Sequence, residues 1–130
     1  MRVITFGTFD VFHVGHVNIL ERAKLHGSHL IVGVSSDELN MRKKQRLPIY
    51  SEDDRKHIIR SLECVDEVFL EESLELKPEY IKYYNADILV MGDDWQGKFD
   101  HLKEICQVIY LPRTPSVSTT EIIEVVKTKR

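Results

Sequence analysis

Five short apolar runs punctuate this chain, and most are separated by longer stretches with helical spacing of polar and apolar positions. The first, Arg2 to Phe6, ends at Gly7. It is followed by a helical pattern (Val17, Ile19, Leu20, Ala23) that predicts a helix from Val14 to about His26, closed by Gly27. The second run, His29 to Ser35, is apolar and β-branched without clean alternation, as expected for a strand covered on both faces. Ser36 to Asn40 starts a short turn or helix. Four cations in the five residues Arg42 to Arg46, with Pro48 just beyond, then read as a mobile loop. Ser51 followed by Glu52, Asp53 and Asp54 is an N-cap with acids in the first turn, and predicts a helix to about Leu62. Val65 to Leu70 is the third strand. Pro78 opens a helix running to about Tyr84, and Asn85 is a left-handed stop. Asp87 to Met91 is the fourth strand, followed by the loop Gly92 to Lys98 and a short helix near Phe99 to Ile105. Gln107 to Leu111 is the fifth. The run Ser118-Thr119-Thr120-Glu121 is a complete capping box that starts the last helix.

Strands alternating with helices imply an α/β fold. Residues 1–130 read as a single Rossmann-like domain, with a five-stranded, mainly parallel sheet and helices on both faces. Ligands of such sheets lie at the carboxyl ends of the strands, near the switch in strand order. Three unusual loops, GTFDVFHVGH, GDDWQGK and PRTPSVSTT, all follow strands and should open on that edge.

Composition narrows the field. A hydrophobic content of 42% over 130 residues supports a real core, and no apolar run approaches membrane-spanning length. The N-terminus enters a strand without the regions of a signal peptide, and two cysteines with no pairing logic suit a reducing cytoplasm. A net charge of −3 argues against a nucleic-acid binder working by bulk charge.

The first loop carries the most chemistry. A glycine turn leaves a strand, and two histidines flank Gly15 at a helix entrance, where backbone N–H groups point outward with partial positive charge. His13 and His16, three apart, can face one phosphate. The pair also reads as a cap plus a surface residue, or as half of a zinc site. However, His26, His29, His57, His101, Cys64 and Cys106 complete no ligand pattern.

GTFDVFHVGH, MGDDWQGKFD and LPRTPSVSTT, in this order and spacing, resemble the cytidylyltransferase family, whose nucleotidyltransferase fold carries the HxGH signature. The likeness runs from Val3 to about Ile122 and is nearest to the small bacterial members that act on glycerol 3-phosphate. It implies an enzyme that joins CTP to a phosphorylated alcohol, sn-glycerol 3-phosphate in that branch. The products would be CDP-glycerol, for teichoic acid or another surface polymer, and pyrophosphate. The resemblance further implies a homodimer, and Mg2+ is expected with CTP; the charge, the short apolar runs and the cysteines point to no nucleic-acid or membrane partner and a cytoplasmic location. The acceptor phosphate is already ionised at neutral pH, so in-line attack needs no protein nucleophile. The site must hold two anions together and stabilise charge on the transferring phosphorus.

The resemblance also implies site residues. His13 and His16 donate to the phosphates, with Lys44 and Arg113 as further catalytic cations. Nucleotide and phosphate binding fall to Thr8, Phe9, Asp10, Gly15, Arg46, Arg55, Asp94, Trp95, Thr114, Ser118 and Thr119. Lys44, Arg55 and Lys77 face the acceptor. Lys44 and Arg46 would close as a lid, though Lys43 could take the place of Lys44. No metal ligands can be assigned. Bland readings stand beside several of these: Thr8 as a turn cap, Asp10 as a turn aspartate, Arg55 in an intrahelical ion pair, Trp95 as a core aromatic, Ser118 as the helix cap.

Two positions depart from the glycerol-3-phosphate pattern: Glu63, where an arginine is usual, and Leu74, where a tryptophan is familiar. Six acids between Glu63 and Glu75 weaken that wall for an anion. The rival readings are an adenylyltransferase of the same superfamily using ATP and a non-catalytic nucleotide- or RNA-binding module using the Arg42 to Arg46 run.

Overall fold

A computed structural model describes residues 1–112 and 119–128. Its strands are β1 (Arg2–Gly7), β2 (His29–Ser35), β3 (Glu67–Glu71), β4 (Ile88–Gly92) and β5 (Gln107–Leu111). They form one sheet in the order β3-β2-β1-β4-β5, and every pairing is parallel. The chain starts in the middle, builds outward through β2 and β3, then crosses back to β4. The switch point therefore lies between β1 and β4, and the loops after those strands meet there.

Alternation along the strands divides the core. Val3, Leu30, Val32, Val34, Ile88 and Val90 pack with Leu20 and Ala23 of α1 (Val14–Lys24) and Ile59 of α3 (Glu52–Arg60) on one face. Ile4, Phe6, Ile31, Leu89 and Met91 pack with Ile81 of α4 (Lys77–Tyr83) and Leu102 on the other. Both faces are covered, which is why the central strands read as continuous apolar runs.

The helix signals hold at several ends. Ser51 Oγ accepts from Asp54 N at 3.2 Å as the cap of α3, and Asn85 adopts φ 53 after α4. The basic run is a correction. Instead of a mobile loop, Arg42, Lys43 and Lys44 form the last turn of α2 (Asp37–Lys44), and the helix stops only at Gln45 with φ 57. Ser36 caps the start, acids fill the first turn and cations the last, so the macrodipole favours continuing the helix through the charges. The last helix, α5 (Thr119–Thr128), begins at the expected capping run. Among the described residues, no helix is long and apolar enough to cross a membrane.

Candidate active site

The loop after β1 is built under strain. Phe9 and Val11 adopt φ 55 and φ 46, left-handed values that are costly for an aromatic and unusual for a β-branched residue. Phe9 folds back so tightly that a Cβ on Gly7 would lie 2.8 Å from its ring, so any side chain there would push the ring aside. Three ties hold the loop. Asp10 accepts from the backbone N–H groups of Ile49 at 2.7 Å, Tyr50 at 2.9 Å and Val11 at 3.1 Å. Thr119 Oγ1 donates to Asp10 O at 2.8 Å, and Arg55 Nη1 donates to Thr8 O at 2.9 Å.

Past the strain, the chain turns into α1 through the two histidines. His13 is the N-cap, and its Nδ1 accepts from Gly15 N at 3.0 Å. His16 Nδ1 accepts from His13 N at 3.2 Å. A ring nitrogen that accepts an amide proton carries none of its own, so each neutral ring keeps its proton on Nε2. The rings stack with centroids 3.8 Å apart. Burial pushes the His16 pKa down to about 4, helped by the neighbouring His13 and opposed by Asp10; burial also lowers that of His13. Both rings are thus neutral near pH 7. The cap reading holds through Nδ1, and it leaves each Nε2–H outside the capping bonds.

The cleft beside this turn has a volume of about 450 Å³ and lies over the switch point. Thr8, Phe9, Asp10 and His16 line it from the strained turn, Lys44 and Arg46 from the end of α2 and the segment after it, Asp94 and Trp95 from the loop after β4, and Thr119 from the start of α5. His13 and Gly15 lie at its edge in the same turn. Gly92 lets the Asp94 carboxylate fold over the end of β4, since a Cβ there would lie 2.7 Å from Asp94 Oδ1. Trp95 packs on Phe99 at 5.5 Å between centroids, so it is both a core aromatic and a cleft wall.

A second pocket of about 430 Å³ continues from the first toward β3 and α4. Lys43, Lys44, Glu71, Leu74 and Lys77 line it, and Thr8, Asp94 and Trp95 belong to both clefts. Lys44 lines both pockets and Lys43 only the second, which separates two residues that sequence leaves ambiguous. Of the six acids expected to weaken this wall, only Glu71 lines it among the described residues. Asp66 pairs with Lys24, and Glu67 with Arg2 and His29, elsewhere on the surface. The departure at Leu74 does fall in the pocket, whereas Glu63 is exposed in the turn after α3 and lines neither cleft.

Arg55 requires a correction. It is not free to face an acceptor or triphosphate but fully buried, at 0% exposure. Its guanidinium donates to Tyr50 O, Thr8 O and Ser35 O and pairs with Asp37 at 2.6 Å. It holds the strained loop, the end of β2 and the start of α2 together. Thr8 belongs to a related network: Ser35 Oγ donates to Thr8 Oγ1 at 3.0 Å, and Asn40 Nδ2 donates to Ser35 Oγ at 2.9 Å. Sequence patterning gives no sign of Ser35 and Asn40 as supports, because their partners come from other elements. Arg113, Thr114 and Ser118 lie outside the described residues.

A family model described as cytidylyltransferase-like matches residues 4–125. The chain belongs to the cytidylyltransferase-like family. Among curated relatives, the glycerol-3-phosphate cytidylyltransferase of Bacillus subtilis (strain 168) is 50% identical, over 95% of each chain. That of Staphylococcus aureus (strain NCTC 8325 / PS 47) is 44% identical, over 93% of this chain and 91% of its own. The FAD synthase of Thermococcus onnurineus (strain NA1) is 32% identical, over 95% of this chain and 89% of its own. The crystal structure of the lipopolysaccharide core biosynthesis protein from Thermoplasma volcanium GSS1 matches with a TM-score of 0.73 at 26% identity, over 88% of this chain and 98% of that one. Within this cytidylyltransferase-like fold, the strained turn and the histidine pair lie beside two clefts that share Thr8, Lys44, Asp94 and Trp95.

Proposed function

We infer that this chain is a glycerol-3-phosphate cytidylyltransferase: it joins CTP and glycerol 3-phosphate to give CDP-glycerol and pyrophosphate. The observation that carries the reading is the match, over nearly the whole chain, to curated enzymes with that activity. The geometry suits the reaction. The larger cleft at the switch point takes the nucleotide, with its triphosphate toward the histidine turn. The second pocket, lined by three lysines, takes the acceptor phosphate.

An acceptor phosphate oxygen attacks the α-phosphorus in line, and pyrophosphate leaves on the opposite side. No proton must be removed from the attacking oxygen. The histidine Nε2–H groups donate to the charge developing on the transferring phosphate, in fixed positions that need no reorganisation. Lys44, shared by both clefts, neutralises the two anions as they approach, and Arg46 flanks the nucleotide. Asp94 and Trp95 hold the cytidine. A carboxylate can accept from the cytosine amino group, as it does in nucleic-acid readout.

We also propose Mg2+ carried on the triphosphate. The residues fit such a cargo ion. Asp10 is occupied by backbone amides and Asp94 is assigned to the cytidine, so such an ion would be held by the triphosphate oxygens and water, as Mg2+ commonly is on a nucleotide. When bound, it neutralises triphosphate charge. A homodimer is proposed on the strength of the family resemblance, and a cytoplasmic location from two cysteines with no pairing logic. An apolar groove lined by Val11, Ile49, Tyr50, Ile122 and Val126 is a surface such a dimer would cover.

The FAD synthase relatives keep ATP in view as an alternative nucleotide. Pyrophosphate release should therefore be measured with CTP and with ATP, each against a panel of phosphorylated alcohols. Turnover with CTP and glycerol 3-phosphate is expected. Turnover with ATP alone, or with CTP only when another acceptor is present, would overturn the corresponding half of the assignment.

A further inference from the structure

At the end of β3, Glu71 is 2% exposed, and it pairs with Lys77, itself 3% exposed on the first turn of α4. The Lys77 ammonium has aromatic rings on its other sides, lying 4.6 Å from the centroid of Phe6 and 5.3 Å from that of Phe99. A buried carboxylate is an odd component for a pocket that receives an anion, because a lone acid would repel the guest. Its charge makes sense when the pocket is taken whole. Lys43 and Lys44 come from α2, Lys77 from α4 and Glu71 from β3. Three ammonium groups against one carboxylate leave two positive charges, which matches the roughly −1.5 to −2 of a phosphate monoester near neutral pH. Without Glu71, the buried Lys77 ammonium would have no counter-charge beside it, with the exposed Lys43 and Lys44 adding like charge at the open side of the pocket. Partial desolvation and Lys44 already lower the pKa of Lys43, and Glu71 opposes them.

We propose that Glu71 is a positioning residue for the acceptor: it anchors Lys77 and balances the lysines of the second pocket, so that they present a charged cradle matched to one phosphate monoester. It acts through the lysines and not on the transferring phosphorus. The proposal rests on the assignment of this pocket to the acceptor, and it deepens that assignment.

The test compares wild type with Glu71→Gln and Glu71→Asp between pH 7 and 9, above the titration of the acceptor phosphate itself. The charged groups facing Lys77 and Lys43 across this window are Lys44, Glu71 and Asp94, with Arg55 behind them. In Glu71→Gln the acceptor KM should rise at least about tenfold, and rise further with pH as an unbalanced lysine deprotonates. The KM for CTP should stay within about twofold, because the nucleotide cleft keeps its own cations. Glu71→Asp, which keeps the charge, should restore most of the pH independence. An unchanged acceptor KM, or equal rises in both KM values with no added pH dependence, would overturn the proposal.

A second comparison adds Glu71→Gln to Lys77→Met, where no buried ammonium is left stranded if the single variant folds poorly. The added change should then raise the acceptor KM by less than about threefold, because contacting residues that act as a unit are not additive. A full additive loss would mean that Glu71 acts independently of Lys77. Calorimetric binding of inorganic phosphate reads the same cradle without catalysis. Failure of wild type to turn over glycerol 3-phosphate would thus sink the assigned reaction, while the phosphate affinities of the variants would still decide the role of Glu71.

Discussion

The cap that His16 supplies and the donor role proposed for it rest on two atoms, and they can be separated. Nδ1 accepts from His13 N and helps cap α1, while Nε2–H is the proposed donor to phosphate. Asparagine carries an oxygen at the position of Nδ1 and nothing at the position of Nε2; alanine carries neither. His16→Asn should therefore keep the cap and lose the donor, and His16→Ala should lose both. Removing one preorganised donor costs about 10²–10³ in turnover, or roughly 2.7–4 kcal/mol of transition-state stabilisation. Losing a cap costs about 1 kcal/mol of fold stability, or about 4 °C in Tm for a domain of this size. Steady-state pyrophosphate release with saturating CTP and glycerol 3-phosphate gives the first quantity, and thermal denaturation gives the second. The expected pattern is two variants almost equally slow, of which only alanine is less stable. If His16→Asn turned over at the wild-type rate, Nε2 would have no part in the chemistry. If it lost as much Tm as alanine, the assigned tautomer would be wrong.

The other predictions follow from the same geometry. The folded-state pKa of His16 is lowered to about 4 from an unfolded value near 6.5, so the unfolded chain binds more protons between those limits. Stability should then rise with pH from about 4 to 6.5, by up to about 3 kcal/mol, and His16→Asn should flatten most of that rise in a Tm-versus-pH series. Arg55→Lys breaks a buried fork with three carbonyls and Asp37, and should cost about 3–5 kcal/mol in chemical denaturation; a loss below 1 kcal/mol would contradict its role as a buried hub. Gly7→Ala forces a methyl against the Phe9 ring and should cost about 1–3 kcal/mol of stability, with a marked fall in kcat, in paired denaturation and turnover assays. Chelating Mg2+ should arrest turnover, and Asp94→Asn should raise the CTP KM several-fold while leaving the Mg2+ concentration for half-maximal rate within about twofold, in titrations of each at fixed acceptor.

Much of this architecture is legible in the residues because it depends on local rules. Gln107–Leu111 is the fifth strand residue for residue, since β-branched and apolar positions in a short bounded run have few alternatives. Ser51 before three acids marks a helix start wherever it occurs. The failures share another cause. Arg42 to Lys44 look like a solvated loop when counted as charges, yet their position relative to Ser36 makes them the favourable end of a helix. Arg55 reads as a surface cation in a first turn, because Thr8, Ser35, Tyr50 and Asp37 are separated from it along the chain and meet it only after folding. Glu71 and Lys77 are six apart across a turn, a spacing that belongs to no motif; only the packing of α4 against β3 makes them a pair.

In the proposed reaction, the strain after β1 gives these supports a purpose. Two residues at positive φ cost on the order of 1–3 kcal/mol each, and such a loop would relax unless its surroundings held it. Here Asp10, Thr119 and Arg55 hold it from three directions, drawing on α5, the Ile49–Tyr50 segment and α3. The cost is therefore met during folding and not when substrates arrive. A loop that had to be ordered by CTP would charge that ordering against affinity, at roughly 1–2 kcal/mol per residue fixed. Because the histidine donors follow directly from this turn, their aim is set before the anions enter. That is what a reaction needs when its barrier lies in bringing two negative charges together.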